Sequence, residues 1–130
     1  MSIVGVTATA PDLDAEVDLR FGRAPYILLV DGETMGWEAV ENPAHDEGSG
    51  AGVRATELLD KRDVTAVVSG EFGPNAYAGL RAAKIAMYYC REGMTAREAV
   101  ERLKKGGLES LSGTGGSGQK EAGAGAGAGG

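Results

Sequence analysis

Arginine suits the holding of oxyanions, because its planar guanidinium presents several donors in a fixed fork. Two arginines here bracket an aromatic ring in Arg20-Phe21-Gly22-Arg23, which runs directly into Ala24-Pro25-Tyr26-Ile27-Leu28-Leu29-Val30-Asp31. That second part is apolar and aromatic enough to be a buried strand. Gly22 admits backbone angles that a residue with a Cβ resists. The four residues therefore read as a compact turn that brings two cationic donors to the mouth of a hydrophobic core. A plainer reading leaves both arginines as solvated charges beside the acidic segment that precedes them.

Soft metal ligands are scarce: the chain has one histidine, His45, and one cysteine, Cys90. An imidazole and a thiolate would suit an iron, copper or molybdenum centre better than a hard cation. They fall short of the four ligands of a structural zinc site. Read plainly, His45 is a surface residue of a polar loop, and Cys90, following two tyrosines, is a small buried hydrophobe. Met35, Met87 and Met94 fall on core or loop positions and read as packing. Asp12, Asp14, Glu16 and Asp18 alternate ahead of the arginine turn. Such a run can hold a divalent cation through oxygen, but a solvated loop balancing nearby arginines explains it more simply.

Two glycine-rich segments add a third kind of chemistry. Gly48-Ser49-Gly50-Ala51-Gly52 and Gly70-Glu71-Phe72-Gly73-Pro74-Asn75 each lead into a helical pattern. Helix starts with exposed N–H groups attract anions, so Gly50, Gly52, Gly73 and Asn75 join Arg20, Phe21, Gly22 and Arg23 as candidate binding residues.

The elements that must position these residues follow from periodicity. Strands are expected at Ser2–Thr9, about Ala24–Val30, Met35–Glu41, Val64–Ser69 and Ile85–Tyr89. Asp31-Gly32 signals a hairpin, and Asn42-Pro43 ends the third strand. Ala51, Ala55, Leu58 and Leu59 share one face of a first helix. Pro74 suits the first position of a second, which runs to about Ala83. Thr95-Ala96-Arg97-Glu98 has the form of a capping box; it opens a last helix with Ala99, Val100 and Leu103 inward, stopped at Gly106-Gly107. The order β-β-β-α-β-α-β-α implies an α/β, three-layer, ribonuclease-H-like fold with about three helices. Right-handed crossovers give a mixed five-stranded sheet in the order 3-2-1-4-5, with strand two antiparallel. The carboxyl ends of strands one, three, four and five then share an edge with the loop entering strand two. Arg20–Arg23, His45 with its glycines, Gly70–Asn75 and Cys90 are expected to converge there, where open α/β sheets bind ligands.

Composition bounds the rest. The 130 residues have room for one domain, expected over residues 1–111. From Ser112 onward the chain is Gly, Ala, Ser and Thr with few other residues, read as a disordered tail or linker because it has little apolar surface to bury. A net charge of −6 argues against a nucleic-acid partner. A single cysteine makes no intramolecular disulfide. With no apolar leader and no bilayer-length segment, the expected location is cytoplasmic, away from membranes. The strands Ile3–Val6 and Val64–Val68 carry no carboxylates to hold nuclease metals. No Gly-x-Ser-x-Gly elbow, P-loop or Cys-x-x-Cys is present, so no enzyme is expected.

Four motifs in order, Val17-Asp18-Leu19-Arg20-Phe21-Gly22-Arg23-Ala24-Pro25-Tyr26, Glu41-Asn42-Pro43, Gly48-Ser49-Gly50-Ala51-Gly52 and Gly73-Pro74-Asn75-Ala76, resemble the dinitrogenase iron–molybdenum cofactor biosynthesis family of the NifX, NafY and NifB C-terminal type. The resemblance runs from about Ile3 to Leu111. It implies the ribonuclease-H-like fold and a protein that binds and carries iron–molybdenum cofactor or its iron–sulfur precursor, with a cluster donor or acceptor protein as partner. Asp18 stands where the family usually has serine. The cysteine-rich radical domain of the larger assembly enzyme is absent from this chain, which favours a carrier over a catalyst. The alternative is a small adaptor domain that binds a partner protein or a small anion without metal.

Overall fold

The computed structural model describes residues 3–42 and 51–110. Its elements follow in the order β1 (Ile3–Ala8), β2 (Tyr26–Asp31), β3 (Trp37–Glu41), α1 (Ala51–Lys61), β4 (Val64–Ser69), α2 (Pro74–Ala82), β5 (Ala86–Tyr89), α3 (Ala96–Lys104) and β6 (Glu109–Ser110). The sheet order is β3-β2-β1-β4-β5-β6. β2 is antiparallel to both β1 and β3, while β1, β4 and β5 are parallel. The first five strands hold the expected order and directions. A sixth extends the edge by pairing Glu109 with Tyr89 and Ser110 with Tyr88. Two residues are too few to show a period of two in the sequence.

Strand alternation divides the core into two layers. Along β2, Ile27 and Leu29 face α1 and α2, where Phe21, Leu59, Leu80 and Met87 also pack. Leu28 and Val30 face the layer of α3, with Val4, Val6, Val68 and Val100. The result is helices on both faces of a mixed sheet, the three-layer ribonuclease-H-like arrangement.

Local chemistry accounts for most element ends. The capping box forms: the Glu98 amide donates to Thr95 Oγ1 at 3.2 Å, and the Thr95 amide donates to Glu98 Oε1 at 2.9 Å. Inside α3 the buried residues are Ala96, Ala99 and Val100, with Leu103 only half-buried. The turn after β2 is wider than a two-residue hairpin. Asp31 Oδ1 accepts from the amides of Glu33 and Thr34 at 2.8 and 3.3 Å. That side-chain turn holds Met35 at φ +64° and delays β3 until Trp37. No helix among the described residues is long and apolar enough to cross a membrane.

Candidate functional site

At the carboxyl ends of β1 and β4 a small polar knot fixes the chain that leads to the arginine turn. The Asp18 amide donates to the Thr7 carbonyl at 2.9 Å. The buried Thr7 hydroxyl donates back to the Asp18 carbonyl at 2.6 Å and lies 2.8 Å from Ser69 Oγ. Both hydroxyls are fully buried, so leaving either without a partner would carry a desolvation cost. Next, Asp18 Oδ1 accepts from the Arg20 amide at 2.9 Å and sits 3.5 Å from Arg20 Nε. Asp18 is 7 % exposed. It is therefore a turn-former inside the fold, not a member of a solvated acidic loop. Asp14 faces elsewhere, pairing with Arg97 at 2.8 Å, and the alternating acids form no common site. No group of three or more His, Cys, Asp and Glu among the described residues could hold a metal ion.

The arginine turn is joined to the loop after β4. Arg20 forms a parallel bridge with Glu71, and the Phe21 amide donates to the Glu71 carbonyl at 3.3 Å. Approach this close needs Gly70: a Cβ there would lie 2.5 Å from Leu19 Cβ and 2.8 Å from Leu19 Cα. The turn closes on itself as the amides of Arg23 and Ala24 donate to the Arg20 carbonyl. Asn42, buried just beyond β3, donates through Nδ2 to the Phe21 carbonyl at 3.4 Å and through its amide to the Pro25 carbonyl at 3.0 Å. Phe21, itself buried, has its ring centroid 5.4 Å from that of Phe72, which lies 6.2 Å from Tyr89. This aromatic row stands along the same edge.

Two helices begin at this edge, because each returns the chain to the start of a parallel strand. Gly73 is the extended N-cap of α2 and supplies no side-chain bond; Pro74 follows at the first position. Neither α1 nor α2 has an acidic residue in its first turn. The first amides of α2 thus keep their positive end open to an anion, whereas α3 satisfies its own start through Thr95 and Glu98.

Arg20, Phe21, Gly22 and Arg23 form the turn that is bridged to Glu71, Gly73 and Asn75 follow that loop at the start of α2, and Gly52 lies in the first turn of α1. Gly50 and His45 lie outside the described residues. Cys90 is divided from the others. Its amide donates to the Ser69 carbonyl at 3.0 Å, which places it at the expected edge. Its side chain, however, belongs to the layer under α3, on the opposite face from Phe21. Burial pushes the thiol up to about 11, so it is neutral at pH 7. The expected convergence holds in part: Cys90 lines a cleft with Gly70 and Tyr89, but the strand period turns its side chain to the opposite face from Phe21.

Sequence reasoning missed the residues that build the turn. In the sequence Asn42 stands as a strand end and a member of the Glu41-Asn42-Pro43 motif, and Gly70 as a glycine ahead of a helix; neither pattern shows that it holds the turn. Thr7 and Ser69 did carry a signal, as single hydroxyls near the ends of apolar strands.

The family described as Dinitrogenase iron-molybdenum cofactor matches the chain over residues 2–106. The chain belongs to that family. Among solved structures it is similar to the apo form of the orange protein from Desulfovibrio gigas. That likeness has 39 % identity and a TM-score of 0.82, and covers 86 % of this chain and 94 % of the other. It is also similar to a putative NifB protein from Thermotoga, at 32 % identity and a TM-score of 0.74, covering 85 % and 94 %. No curated protein matches it.

Proposed function

We propose that this family member is a non-catalytic carrier for an anionic metallocluster of the iron–molybdenum cofactor or iron–sulfur precursor type. The cluster is cargo, received from a donor protein and released to an acceptor. The observation that carries this reading is the joined rim, where Arg20, the Phe21 turn and the uncapped start of α2 share one edge. Membership of the family, and likeness to an orange protein solved as an apo form and to a putative NifB protein, support the class of cargo. Arg20 and Arg23 supply guanidinium donors, and Gly73 to Asn75 supply backbone amides. Gly52 adds a backbone amide from the first turn of α1, and Gly50 and His45, which precede it in the chain, are the remaining candidates. Phe21 anchors the turn in the core, and Gly22, which does not adopt the positive φ its type allows, lies within it. A guest held mainly by charge and amides can be handed on, which a carrier requires. Cys90 enters as a soft ligand only if cluster binding draws it from its buried, neutral state. The carrier domain is the stretch 1–111, with the Gly-, Ala- and Ser-rich residues 112–130 outside it.

The test is anaerobic purification with visible absorption and metal analysis, then reconstitution with isolated iron–molybdenum cofactor and with an iron–sulfur precursor. Arg20→Ala with Arg23→Ala is expected to weaken uptake roughly tenfold or more, the effect of losing charged hydrogen bonds. Unchanged uptake by His45→Ala with Cys90→Ala would remove both soft ligands and leave the cradle. A folded wild-type chain that takes up neither cluster overturns the reading. A metal-free adaptor then becomes the better account, favoured by Trp37, which is 43 % exposed on edge strand β3, since exposed aromatic rings concentrate at partner interfaces.

A further inference from the structure

Among the described residues, the glycines with positive φ are Gly93 at +89° and Gly106 at +74°. Both lie in turns that wall the same cleft. In the first, the Met94 amide donates to the Arg91 carbonyl at 3.3 Å, with Gly93 third of four residues, where a type II turn requires positive φ. In the second, the Gly107 amide donates to the Arg102 carbonyl at 2.7 Å and the Gly106 amide to the Leu103 carbonyl at 3.0 Å. That is the paired bond pattern of a Schellman motif. It swings Leu108 and Glu109 back beside the end of β5, where Glu109 pairs with Tyr89.

Between the two turns is a cleft of about 490 Å³, within the usual range for small-molecule sites. Cys90, Met94 and Leu108 line it, and Arg91 and Arg102 stand exposed at its wall. Neither arginine forms an ion pair among the described residues. Glu109 shares the lining, and Glu98 acts on Arg102 electrostatically. The neutral thiol and the thioether make a soft, apolar surface, while the arginines supply positive forks.

We propose that this cleft binds a small organic anion, its apolar body against Cys90, Met94 and Leu108 and its carboxylate or sulfonate between Arg91 and Arg102. The cleft opens on the layer of α3, whereas Phe21 packs in the other, and the two meet at Gly70 and Tyr89, which line the cleft where it borders the rim. Its test reads binding of the organic anion alone, so its failure is distinguishable from a failure of the carrier reading.

The experiment titrates the full chain with anilinonaphthalene sulfonate by fluorescence, with octanoate and inorganic phosphate as competitors. One-to-one binding is expected, displaced by octanoate and not by phosphate. Arg91→Ala with Arg102→Ala should weaken it roughly tenfold, and Met94→Trp should block it by filling the cleft. Arg20→Ala with Arg23→Ala should leave it unchanged. Near-ultraviolet circular dichroism checks that each variant is folded, and amide chemical shifts should move at residues 89–94 and 102–109. Equal displacement by phosphate, indifference to the Arg91 and Arg102 changes, or shifts confined to other residues would each overturn the proposal.

Discussion

On one face of the sheet α1 and α2 lie side by side and fill the space with Phe21, Leu59, Leu80 and Met87. They fit closely enough that a Cβ on Gly79 of α2 would stand 3.2 Å from Thr56 of α1. On the other face α3 works alone, bringing Ala96, Ala99 and Val100 to the strands. The irregular segment around Leu13 and Val17 covers the remainder, tied to the start of α3 by the amides of Ala96, Arg97 and Val17. A helix lined with small residues approaches a sheet closely but covers little of it. Where turns must finish the cover, packing leaves a cleft. On the side of the paired helices, the start of α2 and the arginine turn before β2 meet along one edge, the place of the proposed cradle for a compact anion. The single helix leaves a hole with a soft floor, suited to a guest with an apolar body.

The strongest way to break that contrast is through the side chains that fill each layer. Phe21→Ala removes a ring that is 1 % exposed, and is expected to cost about 4 kcal/mol together with cluster uptake, because the ring anchors the arginine turn. Leu108→Ala, half-buried beside the cleft, should cost about 1 kcal/mol and leave uptake intact. Urea unfolding measures both. Equal costs would mean that the two layers are equally filled.

Next comes the join between the arginine turn and the loop after β4. Gly70→Ala should cost about 2–3 kcal/mol, in the range for forced overpacking. The atom it meets at 2.8 Å is backbone, Leu19 Cα, and cannot swing away. Gly73, three residues on, has open space around a new Cβ, so Gly73→Ala should cost under about 1 kcal/mol. If the two behave alike, the join is looser than its geometry implies.

This pair also marks how far the sequence could be read. Apolar runs of the right length announced the five main strands, and Pro74 and the Thr95–Glu98 pair marked two helix starts correctly, because each depends on residues close in the chain. The arginine turn was legible as a turn for the same reason. What holds it was not, because Gly70, Asn42, Thr7 and Ser69 act on residues 11 to 62 positions away. Such contacts exist only once the strands are side by side. Cys90 shows the complementary limit: its place along the chain was clear, while its face depended on the phase of a short strand, where one residue reverses the side.

Alkaline titration sharpens the contrast from the side of the α3 layer. Burial raises the Cys90 thiol from its ordinary 9.0 to about 11. The unfolded chain therefore loses this proton at lower pH than the folded one. The contribution to stability is complete below about pH 9 and is lost as the pH rises towards 11. Thermal unfolding across that window should fall more steeply in the wild type than in Cys90→Ala. Alkylation of the folded protein at pH 8 should likewise be slow, since the thiolate is the reactive form. Rapid alkylation would show a thiol open to solvent and a cleft of a different shape.

The smallest expected effect tests why α3 can stand alone. Glu98 accepts the Thr95 amide and hydroxyl, which hold its carboxyl below the ordinary 4.5. A depressed carboxylate stabilises the fold above the unfolded value, and that contribution disappears as the pH falls through the folded one. Asp14 is lowered likewise by its bond to Arg97 and titrates in the same region, so the comparison belongs in an Asp14→Asn background. There, the difference in Tm between Glu98 and Glu98→Gln should be present at pH 7 and shrink below pH 4.5. A difference that persists unchanged in acid would mean that the charge is irrelevant and only the hydrogen bonds to Thr95 count. The capping box would then serve as a geometric stop, and the start of α3 would differ from that of α2 in shape alone.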